Sequence, residues 1–134
     1  MKLNRNKLQE ATMIILYDVL TFLKIEEEIN VETLLSNYFE IEYAEVDIFV
    51  KQVVIKFLSN KDILIEQLQA NMPNWKFDRL NRLAQAILLL ASTHYLYVEK
   101  VDKKIVINNA IRLAKRYLLD NDYRLINAVL DATL

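Results

Sequence analysis

Across 134 residues the chain contains no glycine and a single proline, Pro73. Glycine supplies the positive backbone φ that tight hairpins demand, and proline is the strongest breaker of helices. A chain without glycine and with one proline cannot readily turn strand into strand, so the sequence predicts an all-α protein whose helices are joined by short polar connections. Its length suits one compact domain with a core large enough to need neither disulfide nor metal, and residues 1–134 are expected to form that single domain. There is no cysteine, which removes disulfides and thiolate metal sites and fits a reducing, cytoplasmic setting. The most hydrophobic run, Ala86 to Ala91, is too short for a membrane span, and the N-terminus lacks the apolar segment of a signal peptide.

Hydrophobic spacing predicts where the helices lie. Leu8, Ala11, Ile15, Val19 and Phe22 mark the core stripe of a helix over residues 4–24, which leaves Asn6, Glu10, Met13 and Tyr17 on the opposite face. Asn30 is placed to cap a short helix from Val31 to Tyr38. Val46, Phe49, Val50, Val53, Val54 and Phe57 predict a helix from Ala44 to Leu58. Ser59-Asn60 then reads as a turn before a helix from Asp62 to Gln69. Past Met72-Pro73-Asn74, Asp78 is the expected cap of a helix through Leu80, Leu83, Ala84 and the apolar run Ile87 to Ala91. That segment is apolar on nearly every side and should be the central buried helix. A helix over about Lys104 to Leu118, with Val106, Ala110, Leu113 and Tyr117 inward, is followed by Asp120-Asn121-Asp122 as connector and cap for a final helix through Leu130.

Catalytic constellations are missing. His94 is the lone histidine and falls on a core face of the central helix, with no cysteine or glycine-flanked serine to partner it. Without glycine there is no phosphate-cradling loop. No enzyme, cofactor or metal is expected. Charge is more informative. Residues 1–60 hold six Lys/Arg against ten Asp/Glu, and residues 61–134 hold eleven against eight. Such a split gives either two electrostatic faces or a surface in which the charges mix in space.

Two basic groups stand out. Lys2, Arg5 and Lys7 flank the first helix, where they can reach a phosphate backbone, and Tyr17 adds an aromatic face further along. Cations beside an aromatic suit single-stranded RNA, in which phosphates supply affinity and bases stack on rings. The second group is Lys100, Lys103, Lys104, Arg112, Lys115 and Arg116. Spacings of three and four place Arg112, Lys115 and Arg116 in one exposed patch, suited to RNA, to an acidic partner or to the negative end of a helix dipole. Asn108 and Asn127 sit among apolar neighbours. As buried amides they would pin interhelical geometry rather than touch a ligand.

The last third of the chain carries a resemblance. Ile107-Asn108-Asn109-Ala110-Ile111-Arg112-Leu113-Ala114-Lys115, followed by Ile126-Asn127-Ala128-Val129-Leu130-Asp131, resembles the C-terminal signature of the NusB family of bacterial transcription antitermination factors. Asn74-Trp75, Asp78-Arg79-Leu80 through Ala86-Ile87-Leu88, Tyr97, and at the front Glu10-Ala11 and Leu16-Tyr17 also resemble the family in order and spacing. The similarity is weakest between Lys24 and Leu68. It implies about seven helices in two packed bundles. It further implies a factor that binds single-stranded box A-type leader RNA together with the ribosomal protein NusE, joins the RNA polymerase antitermination complex and acts notably in ribosomal RNA operons. Carried over by position, the family's RNA contacts fall on Arg5, Lys7, Tyr17, Asn121 and Arg124, with Lys2 beside them.

Departures from the family bear on RNA more than on fold. Asn4-Arg5-Asn6-Lys7-Leu8-Gln9 stands where relatives are arginine-rich, so fewer phosphate contacts and a shallower salt dependence are expected. Asn109 replaces the usual glutamate, Ala128 the usual glycine and Leu125 the usual phenylalanine. Leu89 and His94 replace a common arginine and glutamate, a charged pair exchanged together, which stability can tolerate better than loss of one member. A protein-interaction module of the same fold, its acidic first half docking a basic partner, is the alternative reading. NusB-like domains also precede methyltransferase domains, but this sequence carries no glycine-rich cofactor segment after the domain.

Overall fold

The computed structural model describes residues 1–134 and contains six α-helices and no strand. They are α1 (Arg5–Lys24), α2 (Val31–Phe39), α3 (Ile48–Ala70), α4 (Arg82–Thr93), α5 (Lys103–Tyr117) and α6 (Asp122–Thr133). Short 3₁₀ turns at Tyr43–Glu45 and Phe77–Arg79 lead into α3 and α4, and a π-helical turn, His94–Val98, extends α4. No helix is long and apolar enough to cross a membrane.

Five of the six helices begin with a side-chain cap, which supplies an acceptor to otherwise unpaired N–H groups. Asn4 accepts from Lys7 N–H, Asn30 from Thr33, Asp47 from Phe49, Asn81 from Leu83 and Asp102 from Lys104, all at 2.8–3.0 Å. The Asn30 cap falls where the sequence predicts it. Asp78 does not cap α4, because the 3₁₀ turn absorbs it and Asn81 takes the role. Asn121 occupies the cap position of α6 without a capping side-chain bond. The helix expected from Ala44 starts instead at Ile48, after Asp47. The break expected at Ser59-Asn60 is present: α3 kinks there, two helical segments meeting at Asn60 with the non-helical φ −128°, ψ 15°. Ser59 and Asn60 there donate back to the carbonyls of Ile55 and Lys56, a local competition that distorts helices. Split at this bend, α3 brings the helix total to the seven that were expected.

The core is one cluster of 31 buried residues centred on α4, in which Ala86, Ile87, Leu88 and Leu89 are wholly inaccessible. α1, α3, α5 and α6 all pack against α4, which makes it the common member of the helical packing. Val50, Val53 and Val54 of α3 are fully buried, so apolar contact outweighs their modest helix propensity. Met13 is also wholly buried, contrary to its expected outer position. The buried arc of α1 is wider than one stripe, taking in Gln9, Thr12, Met13 and Leu16, because neighbours enclose the helix on more than one side.

Without glycine, helix ends need another residue in the left-handed region. Glu26 (φ 57°) and Glu40 (φ 56°) occupy it, after α1 and α2. At Glu26 the pattern is a Schellman motif: Glu27 N–H donates to Phe22 O at 2.9 Å and Glu26 N–H to Leu23 O at 3.2 Å. A side chain with a Cβ in this conformation costs about 1 kcal/mol that glycine avoids, partly offset by glycine's freer unfolded chain. Glu26→Gly and Glu40→Gly should therefore each leave stability unchanged or raise it by up to about 1 kcal/mol, whereas Glu→Ala should give no such gain. Thermal melts of the variants followed by circular dichroism check this.

Candidate nucleic-acid interface

The N-terminal cations do not act as a unit. Successive helical residues turn by about 100°, so Arg5 and Lys7 leave α1 on nearly opposite sides. Arg5 Nη2 donates to Glu99 Oε1 at 3.0 Å, and its guanidinium lies 5.6 Å from the Phe49 ring centroid. Lys7 faces the other way, into a groove between α1, α2 and the end of α5 that it shares with Tyr38 and Arg116. Lys2 is exposed and makes no ion pair.

Arg5 belongs to a small network. Glu99 Oε1 also lies 2.8 Å from His94 Nε2, and the His94 ring meets Phe49 edge-to-face at 4.8 Å. A π-helical turn pairs residue i with i+5, and this is what carries Glu99 back over His94. His94 is 1% exposed, in keeping with the core role expected of it. Burial holds its pKa below the ordinary value, outweighing the attraction of Glu99, while Arg5 foremost and then His94 hold Glu99 below the usual carboxylate range.

Tyr17 is half-buried against the core. The Arg82 guanidinium stands 5.7 Å from its ring centroid and donates to Thr21 Oγ1 at 2.9 Å. The ring therefore comes with its own cation from the start of α4, a partner not evident from sequence spacing.

The C-terminal basic residues diverge. Arg112 is half-buried: Nη1 donates to Asn109 Oδ1 at 3.2 Å, while Nη2 is buried with no partner. It leaves the exposed patch predicted for it, held by the amide that replaces a glutamate. Lys115 Nζ lies 4.8 Å from the Tyr123 ring centroid, and Arg124 lies 6.0 Å from the same ring. The Arg124 guanidinium, with Lys115 adding, holds the exposed Tyr123 hydroxyl below the ordinary tyrosine value. Asn121 is exposed at the foot of this cluster. Arg116 comes within 3.8 Å of Glu10, whose other oxygen accepts from the Tyr117 hydroxyl. Glu10 thereby ties the end of α5 to α1, beside Lys7.

Basic and aromatic groups thus run from Lys7 past Arg116 to Lys115, Tyr123 and Arg124, and the Tyr17–Arg82 pair joins the first helix to α4. Sequence reasoning missed Tyr123, Arg82 and Tyr38. Tyr123 adjoins the predicted turn residues and lies eight positions beyond Lys115, so cations next to an aromatic across a helix connection were the signal available for it. Asn108 and Asn127 depart from expectation. Both are exposed and neither side chain makes a hydrogen bond. They line a shallow groove between α5 and α6 with Lys103 and Asp131. They are not buried interhelical pins, because the apolar neighbours that suggested burial, such as Ile107 and Ile126, point inward while the amides point out.

Comparison with known proteins places this geometry. The sequence model of the NusB family matches residues 6–134. Relatives described as transcription antitermination protein NusB include one from Clostridium botulinum, 34% identical over 78% of this chain and 82% of its own length. One from Bacillus cereus is 30% identical over 96% and 95%. The solved structure of T. maritima NusB superimposes with a TM-score of 0.78 at 22% identity, covering 99% of this chain and 92% of that one, a likeness of fold.

The His94–Glu99–Arg5 network sets a pH response. Because the folded state resists protonating His94, the unfolded state binds more protons as pH falls through the ordinary histidine value of 6.5. Stability present above that value is lost below it. Glu99 acts in the same direction further down: its contribution is complete above the ordinary 4.5 and lost as pH falls through its lower folded value. Thermal melts in a pH series should show the melting temperature declining on acidification through the histidine range. His94→Gln should lack that step while keeping the later carboxylate one.

Proposed function

The chain belongs to the NusB family, and on that footing we propose that it is a transcription antitermination factor. It binds single-stranded box A-type RNA with a NusE-type ribosomal protein, and the pair joins the RNA polymerase antitermination complex, notably on ribosomal RNA operons. The observation that carries the reading is the strip of cations and rings from Lys7 and Arg116 to Lys115, Tyr123 and Arg124. Phosphates would lie on the cations while unstacked bases meet the rings. Lys7, Asn121 and Arg124 are the RNA contacts nearest this strip. Tyr17 offers a partly covered ring with Arg82 above it, and Lys2 adds charge near the start of α1. Arg5 contributes only by leaving Glu99, so RNA affinity of the free protein is modest and the ribosomal partner raises it.

The engagement of Arg5 with Glu99 favours a second reading, in which the fold serves as a protein-interaction module and the acidic first half meets a basic partner. Fluorescence anisotropy of a short labelled box A-type RNA, with and without the NusE-type protein, separates the two. The antitermination reading expects binding that the partner strengthens. Lys7→Ala and Arg124→Ala should each weaken it several-fold and lower the salt slope by about 0.7, one single-strand phosphate contact apiece. Retained antitermination after Arg5→Ala and Lys7→Ala together, with no RNA binding at any stage, would favour the module.

A further inference from the structure

The groove shared by α1, α2 and the end of α5 has about 530 Å³ of open volume, within the range of small-molecule sites. Its walls are chemically divided. Tyr38 and Phe39 supply rings 4.8 Å apart and nearly perpendicular at 79°, and Ile14 supplies an aliphatic floor. Tyr38 is 37% exposed, so part of its ring is open to a visitor. Burial foremost, with the negative charges of Asp18 and Glu10, raises the Tyr38 hydroxyl above its ordinary pKa, and it remains a neutral donor. Lys7 and Arg116 stand at the mouth, the latter's side chain 68% exposed, whereas the Glu10 side chain is 28% exposed.

From this arrangement we infer that the groove is a nucleobase pocket of the RNA path, formed with the help of α2; the inference rests on the RNA-binding reading above. A phosphate is repelled from the interior by the Glu10 carboxylate, which Tyr117 and Arg116 hold in place. It is attracted to the rim by Lys7. A base is favoured inside, where a ring can stack and a fixed carboxylate accepts from the N–H donors on a base edge. Asn6, exposed on the rim and without a side-chain bond, offers both donor and acceptor. Charge complementarity and continuity with Lys7 therefore select a nucleotide entering base first, with its phosphate left at the mouth. α2, which supplies Tyr38 and Phe39 to the groove, lies where the chain resembles its family least.

The test uses the full chain and a short labelled box A-type RNA in which each nucleotide in turn is replaced by an abasic one. In the unaltered protein one position should lose about tenfold in affinity, the scale of a base–aromatic stack. Tyr38→Ala should weaken the intact RNA by a similar factor and abolish the penalty at that position, whereas Tyr38→Phe should restore it. Should Tyr38→Ala fail to fold, Asn6→Trp, which fills the groove from its exposed rim, should remove the same position-specific penalty. The inference is overturned if RNA binds in a Lys7-dependent manner but no abasic penalty depends on Tyr38 or on an open groove. RNA that fails to bind at all removes the antitermination reading together with the pocket. A groove that takes an aromatic peptide from the ribosomal partner would show partner binding, not RNA binding, sensitive to Tyr38.

Discussion

The structure depends on the enclosure of α4. A helix apolar on nearly every side has little face to present to water, and it is stable only when neighbours surround it. α1, α3, α5 and α6 do this, and each thereby acquires a buried face of its own. Deletion of any one of them would expose part of Ala86–Leu90, so the helices depend on one another through a shared partner more than through pairwise bonds. The side-chain ion pairs are few and mostly exposed, and pairs of that kind contribute little to stability.

Most of the fold was legible because helical periodicity and glycine absence act locally. The run Ile87 to Ala91 announces a buried helix whatever surrounds it. What escaped was set by tertiary packing. Met13 lies outside the stripe defined by Leu8, Ile15 and Val19, yet a second neighbour covers it. Asp78 and Asn81 are both acceptable caps, and only the 3₁₀ turn at Phe77–Arg79 decides between them. The break at Asn60, by contrast, was legible, because Ser and Asn side chains bond the local backbone in competition with the helix ladder, and it separates the buried segments around Phe57 and Leu64.

The candidate site was legible by residue type and much less by direction. Spacing along the chain singled out Lys7 and Tyr17, and the family resemblance Arg124, but neither gave the opposite headings of Arg5 and Lys7, since Arg5 follows a carboxylate 94 positions away. Tyr38 and Tyr123 gain meaning only from the cations and grooves that other helices bring. The asparagines show the converse. Asn108 and Asn127 are clear as sequence landmarks, and their surroundings in the chain gave the wrong sense of burial.

Glu10 and Tyr117 are 107 positions apart, and α1 packs against α4 across more than fifty intervening residues. For a helical protein these are distant closures, of the kind that slow folding. During synthesis α1 leaves the ribosome before its partners, and the side that carries Met13, Ile15 and Leu16 lacks its main cover until α4 has been made. At about 5–20 residues per second that wait lasts seconds, during which the apolar side of the first helix is open to any chaperone nearby. The first helix is thus made before every helix that encloses it and is among the last to reach its native surroundings.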